Sequence, residues 1–204
     1  MAIKLSYDMK VYRQQLNEVL KENDVVVELG CHVGKSTEVI ANIAKNGHII
    51  AIDNSPEAIS IMEEFSNNHE NVEFISGDVR LHDLLEKVTK DLIDINKSNL
   101  DKFEDTDNIG TDSSKNSLCD VLSIDLGGGY HPDTVFKVFY IWSSTLKPRV
   151  TLIRNKGLID FVNSIEFSEK IESEEGYLQS YENQGIPPQI KEFCLWSDSL
   201  KNDK

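Results

Sequence analysis

The sequence predicts an α/β fold in which a mostly parallel sheet is covered by helices on both faces. Runs rich in β-branched residues alternate with segments whose apolar residues recur at helical spacing, and five such strand–helix units follow one another. This alternation is typical of parallel strands joined by right-handed crossovers. The length of 204 residues, with 39% hydrophobic residues, fits one globular domain. We therefore expect a single domain over residues 1–204.

The elements can be assigned in order from their apolar spacing. A helix is predicted over residues 6–22, where apolar side chains recur every three or four positions: Met9, Tyr12, Leu16, Val19 and Leu20. The apolar, β-branched runs predict five buried strands at 25–29, 48–53, 71–76, 119–125 and 149–154. Helical apolar spacing after each strand predicts helices at 35–45, 56–66, 80–90, 132–146 and 157–168. Pro56 and Pro132 suit the first turns of two of these helices.

Two stretches depart from this alternation. Residues 94–116 contain six acidic residues and three lysines but few apolar ones, which predicts a flexible acidic insertion at the surface. Residues 177–182 and 190–197 are rich in apolar and β-prone side chains and flank a Pro-Pro pair, which predicts a final hairpin. The predicted sheet therefore has seven strands, of which the last is antiparallel.

The net charge of the chain makes some classes of binding partner less favourable. The 35 acidic and 21 basic residues give a formal net charge of −14, which disfavours a broad surface for nucleic acid. No window approaches about 18 consecutive apolar residues, and no apolar signal core opens the chain, so we expect a cytoplasmic protein without membrane contact. The three cysteines, Cys31, Cys119 and Cys194, lack metal-binding spacing and are expected to be small buried residues.

A glycine-containing turn, Glu28-Leu29-Gly30-Cys31-His32-Val33-Gly34-Lys35-Ser36, follows the first predicted strand. The G-x-G-x-x-G pattern of dinucleotide-binding folds would need glycine where His32 and Lys35 stand. A phosphate-binding P-loop would need four residues between its first glycine and the Gly-Lys-Ser, and this chain has three. A P-loop-like protein remains an alternative because residues 119–125 resemble the acidic strand that accompanies such loops.

Two acidic residues follow the next predicted strands. Asp53 ends the second strand, 23 residues after Gly30, where a carboxylate can accept the hydroxyl groups of an adenosine ribose. Asp78 follows the third strand in a Gly-Asp turn and is followed by Val79. In parallel sheets ligands bind beyond the carboxyl ends of the strands, so these acids and the glycine turn are expected to share one site.

The turn, with Glu28, Gly30 and a second glycine four positions on, resembles the first motif of class I S-adenosylmethionine-dependent methyltransferases. It is most similar to that of the catechol-type O-methyltransferases. The resemblance implies a Rossmann-like, doubly wound sheet, S-adenosylmethionine as cofactor, and glycines that leave room for the methionine part of the cofactor. It also implies that Asp53 binds the ribose and Asp78 the adenine. The implied cofactor-binding residues are Glu28, Gly30, His32, Gly34, Asp53, Asn54, Asp78, Val79 and Asp125.

The resemblance implies that the acceptor binds at the end of the fourth predicted strand, in Asp125-Leu126-Gly127-Gly128-Gly129-Tyr130-His131. Methyl transfer is an in-line displacement in which alignment supplies most of the catalysis and a base exposes the lone pair of the acceptor. Asp125, Tyr130 and His131 are the candidate catalytic residues, with His131 as the base because imidazole titrates near neutrality. Helix capping by His131 and an ordinary loop position for Tyr130 are the alternatives.

The ends of the fourth and fifth predicted strands can be compared with a known type of magnesium site. In catechol-type enzymes the acid corresponding to Asp125 binds magnesium together with an Asp-Asn pair at the end of the next strand. Asn155 matches this pair, but Arg154 stands where the second acid would be. Because magnesium takes oxygen ligands, we expect no metal. Arg154 is expected to hold a substrate carboxylate or phosphate, or to form a structural salt bridge.

Absent motifs restrict the acceptor. The Asp/Asn-Pro-Pro-Tyr/Phe motif of enzymes that methylate nucleobase amino groups does not follow the fourth strand. Cys119 begins its strand and is not part of the Pro-Cys nucleophile of pyrimidine methylation. With the net charge, this favours a small-molecule or protein acceptor over nucleic acid. A non-catalytic protein of the same fold that binds S-adenosylmethionine is the main alternative.

Overall fold

A computed structural model describes residues 1–100 and 117–169, with side chains described up to residue 97 in the first range. Six strands form one sheet in these ranges: β1 Ala2–Ser6, β2 Val25–Leu29, β3 His48–Asp53, β4 Val72–Ser76, β5 Val121–Ile124 and β6 Val150–Arg154. Six α-helices lie between and after them: α1 Met9–Val19, α2 Lys35–Ile43, α3 Pro56–Asn67, α4 His82–Leu100, α5 Pro132–Leu146 and α6 Lys156–Asn163.

The sheet has the order β1-β6-β5-β2-β3-β4, and all five pairings are parallel. Strand β2 lies between β3 and β5, and its last residue, Leu29, is in register with Ile52 and Ile124. The chain builds outward from β2 in one direction through β3 and β4, and in the other through β5 and β6. A crevice forms at such a reversal, beyond the carboxyl ends of the two central strands.

Helices cover both faces of the sheet, as the sequence predicts. Alternate residues of β2 point to opposite faces, so Val25, Val27 and Leu29 join the core under α4, α5 and α6. Val26 joins the core on the other face, together with Tyr12, Leu16, Ile40 and Met62 from α1, α2 and α3. Continuous apolar runs in the central strands therefore reflect burial on two sides.

The strand count differs from the prediction. All five predicted strands are confirmed, but β1 was not predicted, and α1 begins at Met9 rather than at residue 6. A sheet of seven strands with an antiparallel last strand is wrong for the described ranges, where six parallel strands are found and β1 pairs with β6 from Ala2↔Val150 onward. The predicted hairpin at 177–182 and 190–197 lies outside the described residues.

Helix α4 also differs from the prediction, since it continues to Leu100 and takes in the first seven residues of the predicted insertion. The rest of that segment, 101–116, lies outside the described residues. Cys31 and Cys119 are buried free thiols, as expected. No helix in the described ranges is long and apolar enough to cross a membrane.

Trp142 connects α5 to the loop after β4 by a buried hydrogen bond. Its side chain is 1% exposed, and its Nε1–H donates to the carbonyl oxygen of Val79 over 2.9 Å. A Trp142→Phe variant loses this bond and leaves both a small cavity and an unpaired carbonyl. We expect it to lower the free energy of unfolding by roughly 1–3 kcal/mol in urea titrations.

Phe136 provides the matched control, because it lies on the same helix and is exposed. A Phe136→Leu variant is expected to change the free energy of unfolding by no more than about 0.5 kcal/mol. Equal effects of the two substitutions would contradict the role assigned to Trp142.

Candidate active site

A cleft of about 730 Å³ opens at the carboxyl ends of the central strands. Its walls are the turn after β2, the ends of β3 and β5, the loops after β4 and β5, and the first turns of α1. Its volume lies within the range of small-molecule and cofactor sites. Nine residues that the sequence analysis expected to bind the cofactor or the acceptor line this cleft: Gly30, His32, Asp53, Asn54, Asp78, Val79, Asp125, His131 and Arg154.

Gly30 sets the shape of the turn after β2. Its φ is +89°, and a Cβ atom placed there would lie 2.2 Å from the carbonyl oxygen of Asp125 at the end of β5. Its N–H donates to the carbonyl oxygen of Ile52 in β3 over 2.8 Å. No residue with a side chain fits this position, because both the dihedral angle and the close approach require glycine.

Asp53 is held at the edge of the cleft by backbone donors. The N–H of His32 donates to Asp53 Oδ2 and the N–H of Ser55 donates to Oδ1, both over 2.8 Å. His32 has a φ of 46°, in the left-handed region, which turns its N–H toward the carboxylate. Asp53 therefore connects the glycine turn to the end of β3, and Asn54 lines the cleft beside it.

Asp78 forms an ion pair with Arg80 in the loop after β4. The Arg80 Nη2 lies 2.6 Å from Asp78 Oδ2, and Arg80 Nε donates to Oδ1 over 2.8 Å. Both residues line the cleft, as does Val79, whose carbonyl accepts from Trp142. The guanidinium of Arg80 fixes the orientation of the carboxylate that is expected to contact adenine.

Asp125 faces Arg154 across the ends of β5 and β6. Arg154 Nη1 donates to Asp125 Oδ1 over 2.9 Å, and Arg154 Nε donates to the carbonyl oxygen of Tyr7 over 2.9 Å. Burial raises the pKa of the Asp125 carboxyl, and the guanidiniums of Arg154 and Arg13 act against that rise. Of the two expectations for Arg154, the salt bridge is confirmed.

The glycine-rich loop after β5 brings His131, but not Tyr130, to the cleft. Gly127 and Gly128 line the cleft with positive φ values, and the imidazole of His131 packs against Gly127. His131 occupies the N-cap position of α5, yet its side chain makes no capping hydrogen bond. Tyr130 is 54% exposed, and its hydroxyl lies 2.8 Å from the hydroxyl of Tyr7.

Asn155 caps α6 and links it to the loop after β5. Its Oδ1 accepts from the N–H of Leu158 over 2.9 Å and so caps α6, while its Nδ2 donates to the carbonyl oxygen of Tyr130 over 2.7 Å. Asp125 meanwhile pairs with Arg154. The two residues that would correspond to magnesium ligands in catechol-type enzymes thus have protein partners, and the described residues contain no group of three acidic, histidine or cysteine side chains placed to hold a metal.

Glu28 and Gly34 lie behind the turn and do not line the cleft. Gly34 has a φ of +78°, and a Cβ atom there would lie 2.7 Å from the sulfur of Met62 on α3. The left-handed φ, together with the packing against α3, favours glycine at this position. Glu28 is 2% exposed, and its Oε2 accepts from the hydroxyl of Thr37 over 2.6 Å.

The buried Glu28 carboxyl has an unusual titration. Burial raises its pKa from 4.5 to about 7, with smaller contributions from the charges of Asp125 and Asp53, while the Thr37 hydrogen bond acts in the opposite direction. Tyr12 and Ser123 form a second polar pair on the same face, with their hydroxyls 2.6 Å apart. Two hydrogen-bonded polar pairs, Glu28–Thr37 and Tyr12–Ser123, are therefore buried on this face of the sheet.

Sequence reasoning missed the contribution of α1, which supplies Met9 and Arg13 to the cleft, and it missed Arg80. Spacing of four residues places Met9 and Arg13 on one face of a helix, but nothing local indicates that this face meets the cleft. The cleft has four cationic and three acidic side chains, although the chain has a net charge of −14: Arg13, Lys35, Arg80 and Arg154 against Asp53, Asp78 and Asp125.

Replacing Glu28 by Gln tests the buried carboxyl. The folded state binds a proton at Glu28 more tightly than the unfolded chain, so this group stabilises the fold below pH 4.5, and its contribution is lost as pH rises toward 7. Glu28→Gln keeps the acceptor for Thr37 and removes the titration. Between about pH 5 and 8, the free energy of unfolding of the variant should therefore gain roughly 2–3 kcal/mol relative to wild type.

The measurement is urea unfolding followed across this pH range. Glu38→Gln, an exposed residue on α2, is the control and should give an offset that does not depend on pH. A parallel pH response of wild type and Glu28→Gln would contradict the raised pKa.

The cleft suits the cofactor that the resemblance implies. The Gly30 turn passes close to the end of β5, an acid stands at the end of β3, and a second acid lies after β4, all on one cavity large enough for a nucleoside with an amino-acid chain. The residues placed to hold it are Gly30, His32, Asp53, Asn54, Asp78, Val79 and Asp125.

Comparisons with solved structures gave matches of low identity. An rRNA methylase from Streptococcus thermophilus is 16% identical over 76% of this chain and 78% of that chain, with a TM-score of 0.45. A precorrin-6y C5,15-methyltransferase from Geobacter metallireducens is 14% identical over 76% and 69%, with a TM-score of 0.45. Aeropyrum pernix fibrillarin, in complex with S-adenosyl-L-methionine, is 16% identical over 72% and 50%, with a TM-score of 0.44.

This chain thus spans half of the length of the fibrillarin, and it spans 22% of a coclaurine N-methyltransferase that also matches. TM-scores of this size do not specify a shared substrate. A search among curated proteins returned no match.

A comparison with protein families gave a match to the methyltransferase domain over residues 20–153, which is 134 of the 204 residues. The matched range contains β2 to β5, most of β6 and the cleft residues of the turn and the strand ends. The chain therefore belongs to the class I S-adenosylmethionine-dependent methyltransferase family.

Proposed function

We propose that the chain transfers a methyl group from S-adenosylmethionine to a small-molecule or protein acceptor that binds beside His131, within one domain formed by residues 1–204. The observation that carries this proposal is that His131 and seven of the nine expected cofactor-binding residues line the same cleft. S-adenosylmethionine supplies an electrophilic methyl group on a sulfonium. The chain must hold that molecule, exclude water and position a nucleophile in line.

Asp53 and Asp78 are the proposed anchors for the nucleoside. Each carboxylate is oriented by protein donors, Asp53 by the N–H groups of His32 and Ser55, and Asp78 by Arg80. An oriented carboxylate loses little freedom on binding, which favours affinity. We propose that Asp53 accepts the ribose hydroxyls and Asp78 the adenine amino group.

His131 is the proposed general base. Its side chain is exposed and lines the cleft, and it makes no capping bond. Among the candidate catalytic residues, Asp125 pairs with Arg154, and Tyr130 points its hydroxyl to Tyr7. We propose that His131 takes the proton of the acceptor, while the Asp125–Arg154 pair positions the end of β5.

The proposed acceptor class follows from charge. The chain carries a net charge of −14, which repels a polyphosphate backbone over most of the surface. The cleft itself combines four cations with three acids, so a small anionic or zwitterionic group can enter it. This combination favours a small molecule or a protein side chain over a long nucleic acid.

A non-catalytic protein that binds S-adenosylmethionine is the second candidate. It is favoured by the pairing of Asp125 with Arg154 and of Tyr130 with Tyr7, because two of the three candidate catalytic side chains then have protein partners and Tyr130 does not line the cleft. Cofactor binding without methyl transfer would distinguish it from the enzyme.

Binding of S-adenosylhomocysteine, the demethylated product, tests the cofactor site. We expect wild type to bind it in calorimetric titrations and Asp53→Ala to weaken binding by about 10-fold to 100-fold, because hydrogen bonds to a charged group contribute roughly 1.5–3 kcal/mol. Asp160→Ala removes an exposed acid on α6, outside the cleft, and should leave the affinity unchanged.

Binding of ATP with magnesium, without any response to S-adenosylmethionine or its product, would contradict the proposal. Such a result would favour the P-loop alternative.

Substitution of His131 tests catalysis. With radiolabelled S-adenosylmethionine and a lysate of the source organism separated into small molecules, protein and RNA, we expect label in the small-molecule or protein fraction. His131→Gln should slow this transfer by about 100-fold or more while leaving the affinity for S-adenosylhomocysteine unchanged, since a general base acts on the reaction and not on the nucleoside.

His82→Gln is the matched control, because His82 is exposed on α4 and lies away from the cleft. Label confined to RNA would contradict the acceptor class, and full activity of His131→Gln would contradict the assigned base. Intact binding without label in any fraction would favour the non-catalytic candidate.

A further inference from the structure

Arg13 is a cation of the cleft to which neither the family match nor the sequence motifs give a role. It lies on α1, in the wall of the cleft that also contains Met9 and Arg154. Its Nε is buried and has no hydrogen-bond partner among the described residues. A buried donor of a charged group is costly to leave unpaired, so this position favours an occupant that accepts a hydrogen bond.

The acids of the cleft have other partners. Asp125 pairs with Arg154, Asp78 pairs with Arg80, and Asp53 accepts from the backbone N–H groups of His32 and Ser55. Arg13 forms no ion pair within the described ranges, although its charge, like that of Arg154, opposes the rise that burial causes in the pKa of Asp125. Two guanidiniums therefore act on one carboxylate at the end of β5.

This surplus of positive charge defines the chemistry of the occupant. A guanidinium presents several N–H donors in one plane, which match the oxygens of a carboxylate or a phosphate. Arg13 lines the same cleft as Asp125, on whose carboxyl its charge acts, and as His131, beside which the acceptor is proposed to bind.

We infer that Arg13 binds an anionic oxygen group, a carboxylate or a phosphate, of a molecule that occupies the cleft beside Asp125. The inference rests on the proposed function in that the occupant is either the cofactor or the methyl acceptor. The anionic group then comes from one of two sources: the amino-acid end of S-adenosylmethionine, or an acidic acceptor.

Two nucleosides separate these sources. S-adenosylhomocysteine carries the amino-acid carboxylate, and 5′-methylthioadenosine lacks the amino-acid end. If the carboxylate of the cofactor is the group bound, Arg13→Met should weaken S-adenosylhomocysteine by about 10-fold to 100-fold in calorimetry and change 5′-methylthioadenosine by less than about threefold. Arg13→Lys, which keeps the charge and loses the planar donors, should give an intermediate loss.

If the acceptor supplies the anion, both nucleosides should bind Arg13→Met as they bind wild type. Acetate and inorganic phosphate are then titrated, at constant ionic strength, into protein saturated with S-adenosylhomocysteine. They should raise the Tm of wild type and not that of Arg13→Met.

Lys10→Met is the matched control, because Lys10 is an exposed cation on the same helix and does not line the cleft. It should behave as wild type in every titration. Retained binding of 5′-methylthioadenosine by Arg13→Met shows that the variant is folded.

The inference is overturned if Arg13→Met responds as wild type to S-adenosylhomocysteine, acetate and phosphate alike, while wild type binds both nucleosides. Failure of wild type to bind either nucleoside overturns the proposed function instead. The acetate and phosphate titrations of the free protein then still decide whether Arg13 binds an anion.

Discussion

The close approach of the Gly30 turn to the end of β5 is the constraint on which the site depends. A Cβ atom at Gly30 would lie 2.2 Å from the carbonyl oxygen of Asp125, and the N–H of Gly30 is bonded to Ile52 in β3. The turn is thus held between the two strands that flank β2. This places Asp53 and Asp125 on one cleft, because Asp53 ends β3, Asp125 directly follows β5, and the turn contacts both strand ends. A residue larger than glycine would separate these strand ends.

Burial and nearby cations have opposite effects on the carboxyl groups at and below the cleft. Burial raises the pKa of Glu28 and of Asp125, since a charged carboxylate is costly away from water. At Asp125 the guanidiniums of Arg154 and Arg13 oppose the rise, whereas Glu28 accepts from the hydroxyl of Thr37 and forms no ion pair within the described ranges. The cleft is therefore richer in cations than the rest of an acidic chain, and its carboxylates are fixed in place. Both properties suit a zwitterionic cofactor.

Local patterns predicted much of this structure. The five predicted strands are present because their apolar residues pack into the cores on the two faces of the sheet, most completely in β2, β3 and β5. The acids at their ends reach one cleft because parallel strands end at one edge. Strand β1 escaped prediction because its five residues become a strand by pairing with β6, almost 150 positions away. Arg13 was not predicted as a site residue, because the packing of α1 against the sheet brings it to the cleft and no local pattern indicates this packing. Gly34, which was expected at the cofactor, does not line the cleft, and its positive φ favours glycine there.

A crystal structure of the protein with S-adenosylhomocysteine tests most directly the claim that this cleft is the cofactor site. The account predicts the ribose at Asp53, the adenine at Asp78 and Val79, and the amino-acid end between the Gly30 turn and Asp125. The turn should also keep its contact with the end of β5, because the positive φ and the close approach at Gly30 hold it there. A nucleoside bound elsewhere on the chain, or in this cleft without contact to Asp53, would contradict the account.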